Sequence, residues 1–389
     1  MGFGEAGIPV LPVVAEVLAA AVNRNGYGPV AGIDAARTAA AGYFARRGLS
    51  TDPDQIIVAP GSKPLLFALI AALPGDVVLP RPSWVSYAAQ AAFTGKRVIS
   101  VPIPDSAGGV PDPARLDEAL RRARAEGAQP QILVLTVPDN PTGTVADTDL
   151  LKQVCDLAGR HRLTIISDEI YRDLHHADGA VVTPAMLLPE RTVTTSGLSK
   201  SMALGGWRIG FARLPDTAWG RQLMNRIVGI ASEVWSSAPA PMQEAAAFVL
   251  NEPPSVIAHI DASRRLHRAV ATAVHQAFID IGARCREPQA AFYLYPDLGQ
   301  LRSVLAAQGI STGRQLTEHL LDRYGIGVLA GEAFGDAPGA LRFRVATSLL
   351  YGHGDQRWTA LHSDAPTELP WIANSLAELR SSLVELARK

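Results

Sequence analysis

Ser196-Gly-Leu-Ser-Lys-Ser-Met-Ala-Leu-Gly-Gly-Trp-Arg-Ile-Gly-Phe211 is the most informative stretch of this sequence, and it joins two predicted strands at 192–195 and 209–213. Lys200 offers an amine, and Arg208 offers a guanidinium that can hold a phosphate. A lysine attacks a carbonyl only when it is unprotonated, so a reactive Lys200 must lie in a buried, electropositive place that lowers its pKa. The small glycines and serines around Lys200 leave room for a bulky ligand. A solvated loop is the alternative interpretation of the same stretch.

Composition indicates one large enzyme subunit. The chain has 389 residues, which exceeds one ordinary core and predicts two domains. Its formal net charge of -1 gives no general attraction to nucleic acid or to an anionic membrane, so we expect small-molecule partners. The two cysteines, Cys155 and Cys285, support neither a disulfide framework nor a thiolate metal site. No apolar run reaches membrane-spanning length and no signal-peptide pattern is present, so we expect a cytoplasmic protein.

Short β-branched runs alternate with Ala- and Leu-rich stretches along most of the chain, which is typical of a mostly parallel sheet covered on both faces. After residue 253 the pattern changes to a long helix at 256–281 and strand-like pieces at 292–295, 327–329 and 341–346. The sequence therefore predicts an α/β protein with a large domain at 26–253, a small α+β domain at 254–389, and an N-terminal segment at 1–25 that joins the small domain. Large-domain strands are predicted at 56–59, 77–79, 97–101, 132–137, 164–167, 192–195 and 209–213, and helices at 34–47, 64–73, 113–126, 147–161 and 243–250.

Polar residues follow several of these strands, at the edge where open α/β sheets bind ligands. Gly61, Ser62 and Lys63 precede an apolar helix, whose N-terminus favours an anion. Trp84 offers a flat face for stacking on an aromatic ring, and Asn140 lies in a turn from which its amide can donate to a ligand oxygen. Each has a structural alternative: a plain strand-to-helix turn, a solvated Lys63, a core tryptophan, or an asparagine that caps its own turn.

Asp168 ends a very apolar predicted strand in Ile165-Ile166-Ser167-Asp168-Glu169-Ile170-Tyr171. A buried carboxylate needs a cationic partner, because otherwise it takes up a proton. The pyridinium nitrogen of pyridoxal phosphate is such a partner, and an ionised Asp168 would keep that ring an electron sink. Without a cofactor, Asp168 would cap the following turn, and the neighbouring Glu169 is expected to serve structure.

The ordered set of motifs resembles the fold type I pyridoxal phosphate enzymes and, within them, the class I/II aminotransferases. The resemblance covers nearly the whole chain, from about residue 4 to about residue 346. Each motif alone is weak, but their occurrence together in this order is highly specific. The motifs are Tyr27 to Gly32, Gly61-Ser62, Trp84, Asn-Pro-Thr-Gly at 140–143, Asp-Glu-Ile-Tyr at 168–171, Ser199-Lys200, Gly-Trp-Arg at 206–208, Ala-Phe-Tyr at 291–293 and Leu341-Arg342. The fold that this resemblance implies has a three-layer large domain with a mostly parallel seven-stranded sheet and a smaller α+β domain.

The resemblance also implies roles for individual residues. Lys200 would form the Schiff base with pyridoxal 5'-phosphate and then act as general base and acid, while Asp168 would pair with the ring nitrogen. Tyr171 and Asn140 would hydrogen-bond the phenolic oxygen. Trp84 would stack on the ring. The phosphate would be held by Gly61, Ser62, Lys63, Ser199 and Arg208, and by Tyr27 of the neighbouring subunit in a homodimer.

Arg342 is the predicted ligand of the substrate α-carboxylate, with Asn140 beside it. The planar guanidinium matches a carboxylate with two parallel hydrogen bonds. Arg344 lies on the same strand face by alternation, so spacing alone cannot separate the two arginines. We favour Arg342 because Ala346, four residues later, matches the family pattern, and we expect Arg344 to form a salt bridge.

Transamination by a ping-pong mechanism is the predicted reaction, with a 2-oxo acid as acceptor. No second arginine for a distal carboxylate is evident, and Tyr87, Trp235, Phe292 and Phe334 can line an apolar pocket, so neutral or aromatic L-amino acids are the favoured donors. The alternative within the same fold is a lyase or cyclase, because the carbanion can expel a substituent. A ligand sensor fused to a DNA-binding domain would need a helix-turn-helix region before Gly4, and we do not expect that function.

The sequence departs from the family pattern in a few places. Asp139 stands where many relatives have asparagine or another residue, and Ala290-Ala291 replaces a commoner glycine-containing pair. The tract at 352–370 matches no motif that we can interpret. These differences bear on the substrate and on assembly more than on the cofactor.

Overall fold

A seven-stranded sheet forms the centre of the computed structural model, which describes residues 1–388. Its strands are β1 (Ile56–Ala59), β2 (Asp76–Arg81), β3 (Val98–Pro102), β4 (Pro130–Thr136), β5 (Thr164–Asp168), β6 (Thr192–Gly197) and β7 (Gly210–Arg213). Their spatial order is β1-β7-β6-β5-β4-β2-β3, and β7 alone runs antiparallel to its neighbours. The predicted fold class, with a mostly parallel seven-stranded sheet, is confirmed.

Fifteen α-helices surround this sheet and a second, smaller one within residues 1–388. They are α1 (Pro12–Ala21), α2 (Asp34–Arg46), α3 (Ser62–Ala72), α4 (Val85–Phe93), α5 (Pro113–Ala125), α6 (Thr148–Arg160), α7 (Pro184–Leu187), α8 (Leu198–Ser201), α9 (Ala218–Val234), α10 (Ala240–Leu250), α11 (Pro254–Asp280), α12 (Arg302–Ala307), α13 (Gly313–Tyr324), α14 (Asp355–His362) and α15 (Pro370–Leu386). No helix of the described chain is both long enough and apolar enough to cross a membrane.

The large sheet is buried on both faces, which explains why its central strands are continuously apolar. In β4, Ile132 and Val134 pack on the face that α3, α4 and α9 cover, whereas Leu133 and Leu135 pack on the face that α5 and α6 cover. Further along that second face, Val58 of β1 packs with α2 and α10. The strand period of two thus divides the apolar residues between the two helical layers.

The small domain is built on a three-stranded antiparallel sheet in the order β8-β10-β9. Its strands are β8 (Tyr293–Leu294), β9 (Leu329–Ala330) and β10 (Phe343–Ala346), and α11, α13 and α15 complete its core. Ala6 and Ile8 pack in this core, while Val14 of α1 packs in the core of α2 and α10. The N-terminal segment therefore contacts both domains, and the boundaries at 25 and 253 stay predictions.

The elements converge on one edge of the large sheet. β4, β5 and β6 all end there. Asp168 is the last residue of β5, and the segments that follow β4 and β6 carry Asn140 and Lys200. This is the edge at which parallel strands present their carboxyl ends, where open α/β sheets bind ligands.

Candidate active site

A cavity of about 450 Å³ lies at this edge, between the large sheet and the small domain. Most of the predicted site residues line it: Ser62, Lys63, Trp84, Asn140, Asp168, Tyr171, Ser199, Lys200 and Arg208. Gly4, Glu5, Tyr87, Thr136, Tyr293 and Arg344 line it as well, without having been predicted as cofactor or substrate ligands. The fold therefore brings together residues that are distant in the sequence.

Lys200 lies on the short helix α8, directly after β6. Its Nζ atom donates a hydrogen bond to the backbone carbonyl of Gly4. Burial and, after it, the positive charges of Arg344 and Arg208 lower the pKa of Lys200 to about 8, against the opposing charge of Glu5. About a tenth of this amine is therefore unprotonated at pH 7, far more than for a lysine with the usual pKa of 10.5, and a nucleophile requires this form.

An anion-binding cradle lies at the N-terminus of α3. Gly61 has a φ of +98°, and Arg208 has the left-handed φ of +58° that turns its side chain back toward α3. A Cβ atom on Gly61 would lie 2.2 Å from Nη2 of Arg208, so a larger residue at this position would displace the guanidinium. Free backbone N–H groups, the Ser62 hydroxyl and a guanidinium thus meet in one place, which is the donor set of a phosphate site.

Asp168 is fully buried at the end of β5. Tyr87 donates a hydrogen bond to its Oδ2 atom at 2.8 Å, and Thr195 donates one to its Oδ1 atom at 3.4 Å. Burial raises the pKa of Asp168 to about 6, although the hydrogen bond from Tyr87 opposes that rise. A cationic ring nitrogen in the cavity would lower this pKa, so the carboxylate fits the pyridinium of pyridoxal phosphate.

Tyr87 was predicted only as a possible wall of the substrate pocket. Its ring packs edge-on against Trp84, with the two centroids 5.2 Å apart, and its hydroxyl also contacts Thr136 Oγ1 at 2.9 Å. The hydroxyl reaches Asp168 across 81 positions of the sequence. A buried tyrosine three residues after Trp84 was the only sequence signal for this contact.

Arg344 lines the cavity, whereas Arg342 does not, and this corrects the prediction that Arg342 faces the substrate. Arg342 lies just before β10 and forms ion pairs with Asp297 at 2.8 Å and Asp336 at 3.5 Å. Those two carboxylates hold its guanidinium outside the cavity. The salt bridge that we expected for Arg344 is formed by Arg342 instead.

Arg344 has no carboxylate partner within residues 1–388. Its Nη1 atom donates to Asn140 Oδ1 at 3.1 Å and its Nη2 atom donates to the Gly2 carbonyl at 2.7 Å. Its guanidinium carbon lies 4.8 Å from the centre of the Tyr293 ring and 5.2 Å from that of Phe334. A buried, oriented guanidinium that lacks an anionic partner is suited to bind the carboxylate of a ligand.

Asn140 links this arginine to Tyr171. The Asn140 amide nitrogen donates to the Tyr171 hydroxyl at 3.2 Å, and that hydroxyl lies 3.2 Å from the Tyr293 hydroxyl. Burial raises the pKa of Tyr171 well above its usual value of 10.0, so its hydroxyl keeps its proton. The network thus holds the amide of Asn140 and the phenol of Tyr171 next to each other in the lining of the cavity.

Trp84 and Lys63 lie together on another wall. The Lys63 Nζ atom is 5.2 Å from the centre of the Trp84 ring, which is within the range of a cation–π contact. Ser199 lines the cavity beside Lys200. Tyr27 is 83% exposed and is not part of the cavity of the single chain.

Asp139 is a buried carboxyl next to the cavity. Its Oδ2 atom accepts hydrogen bonds from the backbone N–H and the hydroxyl of Thr142, at 3.1 and 2.6 Å, whereas Oδ1 has no partner within the described residues. Burial raises its pKa to about 7, against the opposing effect of the Thr142 hydrogen bonds. The departure from the family pattern at this position thus places an unpaired carboxylate oxygen in the interior.

We expect Asp139→Asn to stabilise the protein above neutral pH. The unfolded carboxyl has its usual pKa of 3.8, so the folded chain binds more protons between about pH 4 and pH 7, and stability falls as the pH rises through that range. Asparagine keeps an acceptor for Thr142 without the charge. Urea unfolding near pH 8 should show a gain of up to about 4 kcal/mol, and near pH 5 a much smaller one. An equal change at both pH values would mean that the charge of Asp139 is not the cause.

The chain matches the sequence profile of the family described as aminotransferase class I and II over residues 4–349. It is 32% identical to the aspartate/prephenate aminotransferase of Thermus thermophilus over 335 residues, which cover 85% of this chain and 81% of that protein. A bifunctional aspartate aminotransferase and glutamate/aspartate-prephenate aminotransferase of Petunia hybrida is 32% identical over 88% of this chain and 72% of its own length.

Solved structures resemble the fold over its full length. A tetra mutant of the Thermus thermophilus aspartate aminotransferase superposes with a TM-score of 0.81 at 27% identity, and covers 100% of this chain and 95% of that one. The aromatic aminotransferase of Pyrococcus horikoshii has a TM-score of 0.81 at 25% identity, and covers 99% of this chain and 94% of that one.

Proposed function

Because the chain belongs to the class I and II aminotransferases, which use pyridoxal phosphate, we propose that Lys200 carries this cofactor and moves the proton during amino transfer. The protein is an aminotransferase, which moves an amino group from an amino acid to a 2-oxo acid. The observation that carries the assignment is the cavity in which the Lys200 amine, the Asp168 carboxylate and the cradle around Arg208 meet.

When bound, pyridoxal phosphate supplies an aldehyde that condenses with amines and a ring that withdraws electrons. Asp168 would hold the ring nitrogen, and Tyr171 and Asn140 would hydrogen-bond the phenolic oxygen. Trp84 would cover one face of the ring. The residues that would hold the phosphate are Gly61, Ser62, Ser199 and Arg208, with Lys63 close enough to add a positive charge.

Lys200 would serve as the base that removes the proton from the α-carbon of the substrate. Its lowered pKa supports this role, because the free amine must accept a proton near neutral pH and give it back at the cofactor. Arg344 would bind the substrate α-carboxylate, with Asn140 fixing the direction of its guanidinium through the 3.1 Å hydrogen bond. Arg344 thereby takes the role that the sequence suggested for Arg342.

The rate at which the cofactor-free protein captures pyridoxal phosphate should rise with pH and level off above about pH 8. Only the unprotonated Lys200 amine attacks the aldehyde, so below its pKa the rate should increase about tenfold per pH unit. Stopped-flow absorbance between about pH 6 and pH 9 measures this rate. A rate that is independent of pH, or that keeps rising toward the ordinary lysine value of 10.5, would contradict the assignment.

The identity of the amino donor is a separate proposal. Trp84, Tyr87 and Ile170 give the cavity apolar and aromatic walls, which supports a neutral or aromatic amino acid. A second candidate is an acidic donor: Lys63 lines the cavity without an ion pair among the described residues, and several relatives are named as aspartate/prephenate aminotransferases. The two candidates differ in whether a second carboxylate is bound.

We also propose a homodimer in which Tyr27 completes the phosphate site of the partner. Its exposed ring supports this, since the single chain gives the hydroxyl no buried partner. Tyr27→Phe should weaken pyridoxal phosphate binding by about threefold to tenfold, the effect of one hydrogen bond. A cofactor titration measures the affinity, with Tyr324→Phe as the control. Unchanged affinity in Tyr27→Phe would contradict the shared site.

We also propose a cytoplasmic location, which the state of the two cysteines supports. Cys155 and Cys285 are both free, the first buried and the second half-buried, as expected in a reducing compartment. Fractionation of the native host would test it.

A further inference from the structure

A second cavity, of about 530 Å³, lies between the two domains. The large domain contributes the end of β2 and the segment after β3, and the small domain contributes segments around β8 and β10. None of its lining residues lines the Lys200 cavity. Its charged residues are Arg81, Asp105, Arg284, Arg286, Asp297, Asp336 and Arg342.

The aspartates of this cavity form ion pairs with only one of its four arginines, Arg342. Asp297 and Asp336 are both engaged by Arg342, and Asp336 also accepts a hydrogen bond from the Tyr295 hydroxyl at 2.9 Å. Within residues 1–388, three guanidinium groups that line the cavity form no ion pair, and the lining holds one further carboxylate, that of Asp105. These three arginines are Arg81, Arg284 and Arg286.

The unpaired arginines belong to both domains. Arg81 ends β2, whereas Arg286 reaches from the small domain and donates to the backbone carbonyls of Asp105 at 2.9 Å and Pro104 at 3.0 Å. Those contacts orient the Arg286 guanidinium without neutralising it. Burial lowers the pKa of Arg286, and the positive charge of Arg342 lowers it further, although Asp139 and Asp105 oppose this. Arg286 is half-buried, whereas Arg81 and Arg284 are exposed. Like charges therefore line one cavity, and a bound anion would relieve their repulsion.

We propose that this cavity is a second anion site, which binds a small molecule bearing a phosphate or two carboxylates across the two domains. Guanidinium groups bind both kinds of oxyanion with paired hydrogen bonds, and three unpaired ones line this cavity. The volume of about 530 Å³ is that of a small-molecule site. The site is separate from the cradle of Gly61 and Arg208, so it takes a molecule other than the cofactor.

The second cavity is joined to the Lys200 cavity through packed side chains. Arg342 is two residues from Arg344, and the Tyr295 ring packs edge-on against Phe334 with centroids 5.8 Å apart. Phe334 in turn lies under the Arg344 guanidinium. An anion that draws Arg342 toward itself and away from Asp336 would shift this chain of contacts, so it would change the binding of the amino donor.

Binding of inorganic phosphate and of succinate to the holoenzyme tests the site, by calorimetry at constant ionic strength with chloride as the reference anion. Arg81→Gln and Arg284→Gln should each weaken binding about tenfold or more, as expected for the loss of a charge-assisted contact. Arg97→Gln, an exposed arginine outside both cavities, is the control and should bind as the wild type does. Phosphate-selective binding would indicate a phosphate ester, and succinate-selective binding a dicarboxylate.

Three results would overturn the proposal. The first is no binding of either anion to the wild type. The second is equal binding by the wild type, Arg81→Gln and Arg284→Gln. The third is binding that Arg344→Gln abolishes while Arg81→Gln does not, because the anion would then lie in the Lys200 cavity. Bound phosphate should also change the KM for the donor in the wild type and not in Arg81→Gln, and an unchanged wild-type KM would refute the coupling.

Discussion

Lys200→Ala is expected to lower kcat for amino transfer by at least ~10²–10⁴-fold, the usual contribution of a positioned general base, with a further loss of the covalent attachment. The buried amine with a pKa of about 8 has no substitute in the cavity, because Lys63 contacts the Trp84 ring instead. The variant should still bind pyridoxal phosphate, since the cradle of Gly61, Ser62 and Arg208 is untouched. Steady-state kinetics and a cofactor titration measure the two effects separately.

Lys152→Ala is the matched control for this prediction. Lys152 lies on the exposed side of α6, away from the cavity, and its loss should leave both kcat and cofactor affinity unchanged. Borohydride reduction of the holoenzyme followed by peptide mapping should place the cofactor on Lys200. A Lys200→Ala variant that keeps more than about a tenth of the wild-type kcat would refute the role given to this lysine.

Arg344→Lys is expected to raise the KM for the amino donor by roughly 10–100-fold, with a smaller effect on kcat. Lysine keeps the positive charge but loses the planar fork that binds a carboxylate with two hydrogen bonds, a contribution of about 1.5–3 kcal/mol. It also breaks the hydrogen bond that joins Arg344 to Asn140. The measurement is the dependence of the initial rate on donor concentration.

Arg342→Lys provides the comparison, because Arg342 pairs with Asp297 and Asp336 outside the Lys200 cavity. Its KM for the donor should stay within about threefold of the wild-type value, as expected for a partly exposed ion pair. A large rise in KM for Arg342→Lys together with an unchanged KM for Arg344→Lys would restore the assignment made from the sequence.

The choice between these two arginines shows where sequence reasoning stops. Both positions fit an alternating strand. The two arginines differ in their partners: Arg342 pairs with Asp297, which is 45 positions away, and with Asp336, whereas Arg344 pairs with no carboxylate among the described residues. Only the packing of the small domain brings those carboxylates to Arg342. The hydrogen bond from Tyr87 to Asp168 was missed for the same reason, because it depends on the spatial order of β2, β4 and β5.

The large sheet was predictable because its strands are apolar on both faces and end in polar turns. All seven predicted strands overlap an observed strand, and β1 has the predicted bounds of 56–59. Five large-domain or N-terminal helices, α1, α4, α7, α8 and α9, were not predicted. In α9, the glycines at 220 and 229 interrupt the helical pattern, and tertiary packing against α3 compensates for their low helix propensity. The tract at 352–370, which matched no motif, contains α14.

Transamination is tested most directly by the half-reaction of the holoenzyme with a panel of neutral, aromatic and acidic amino acids, without any oxo acid. Chromatography of the released cofactor should show conversion of pyridoxal phosphate to pyridoxamine phosphate by the preferred donor, and a 2-oxo acid should reverse the conversion. Preference for aspartate over phenylalanine and leucine would support the acidic donor. A cofactor that stays pyridoxal phosphate with every donor while ammonia accumulates would contradict transamination and favour a lyase.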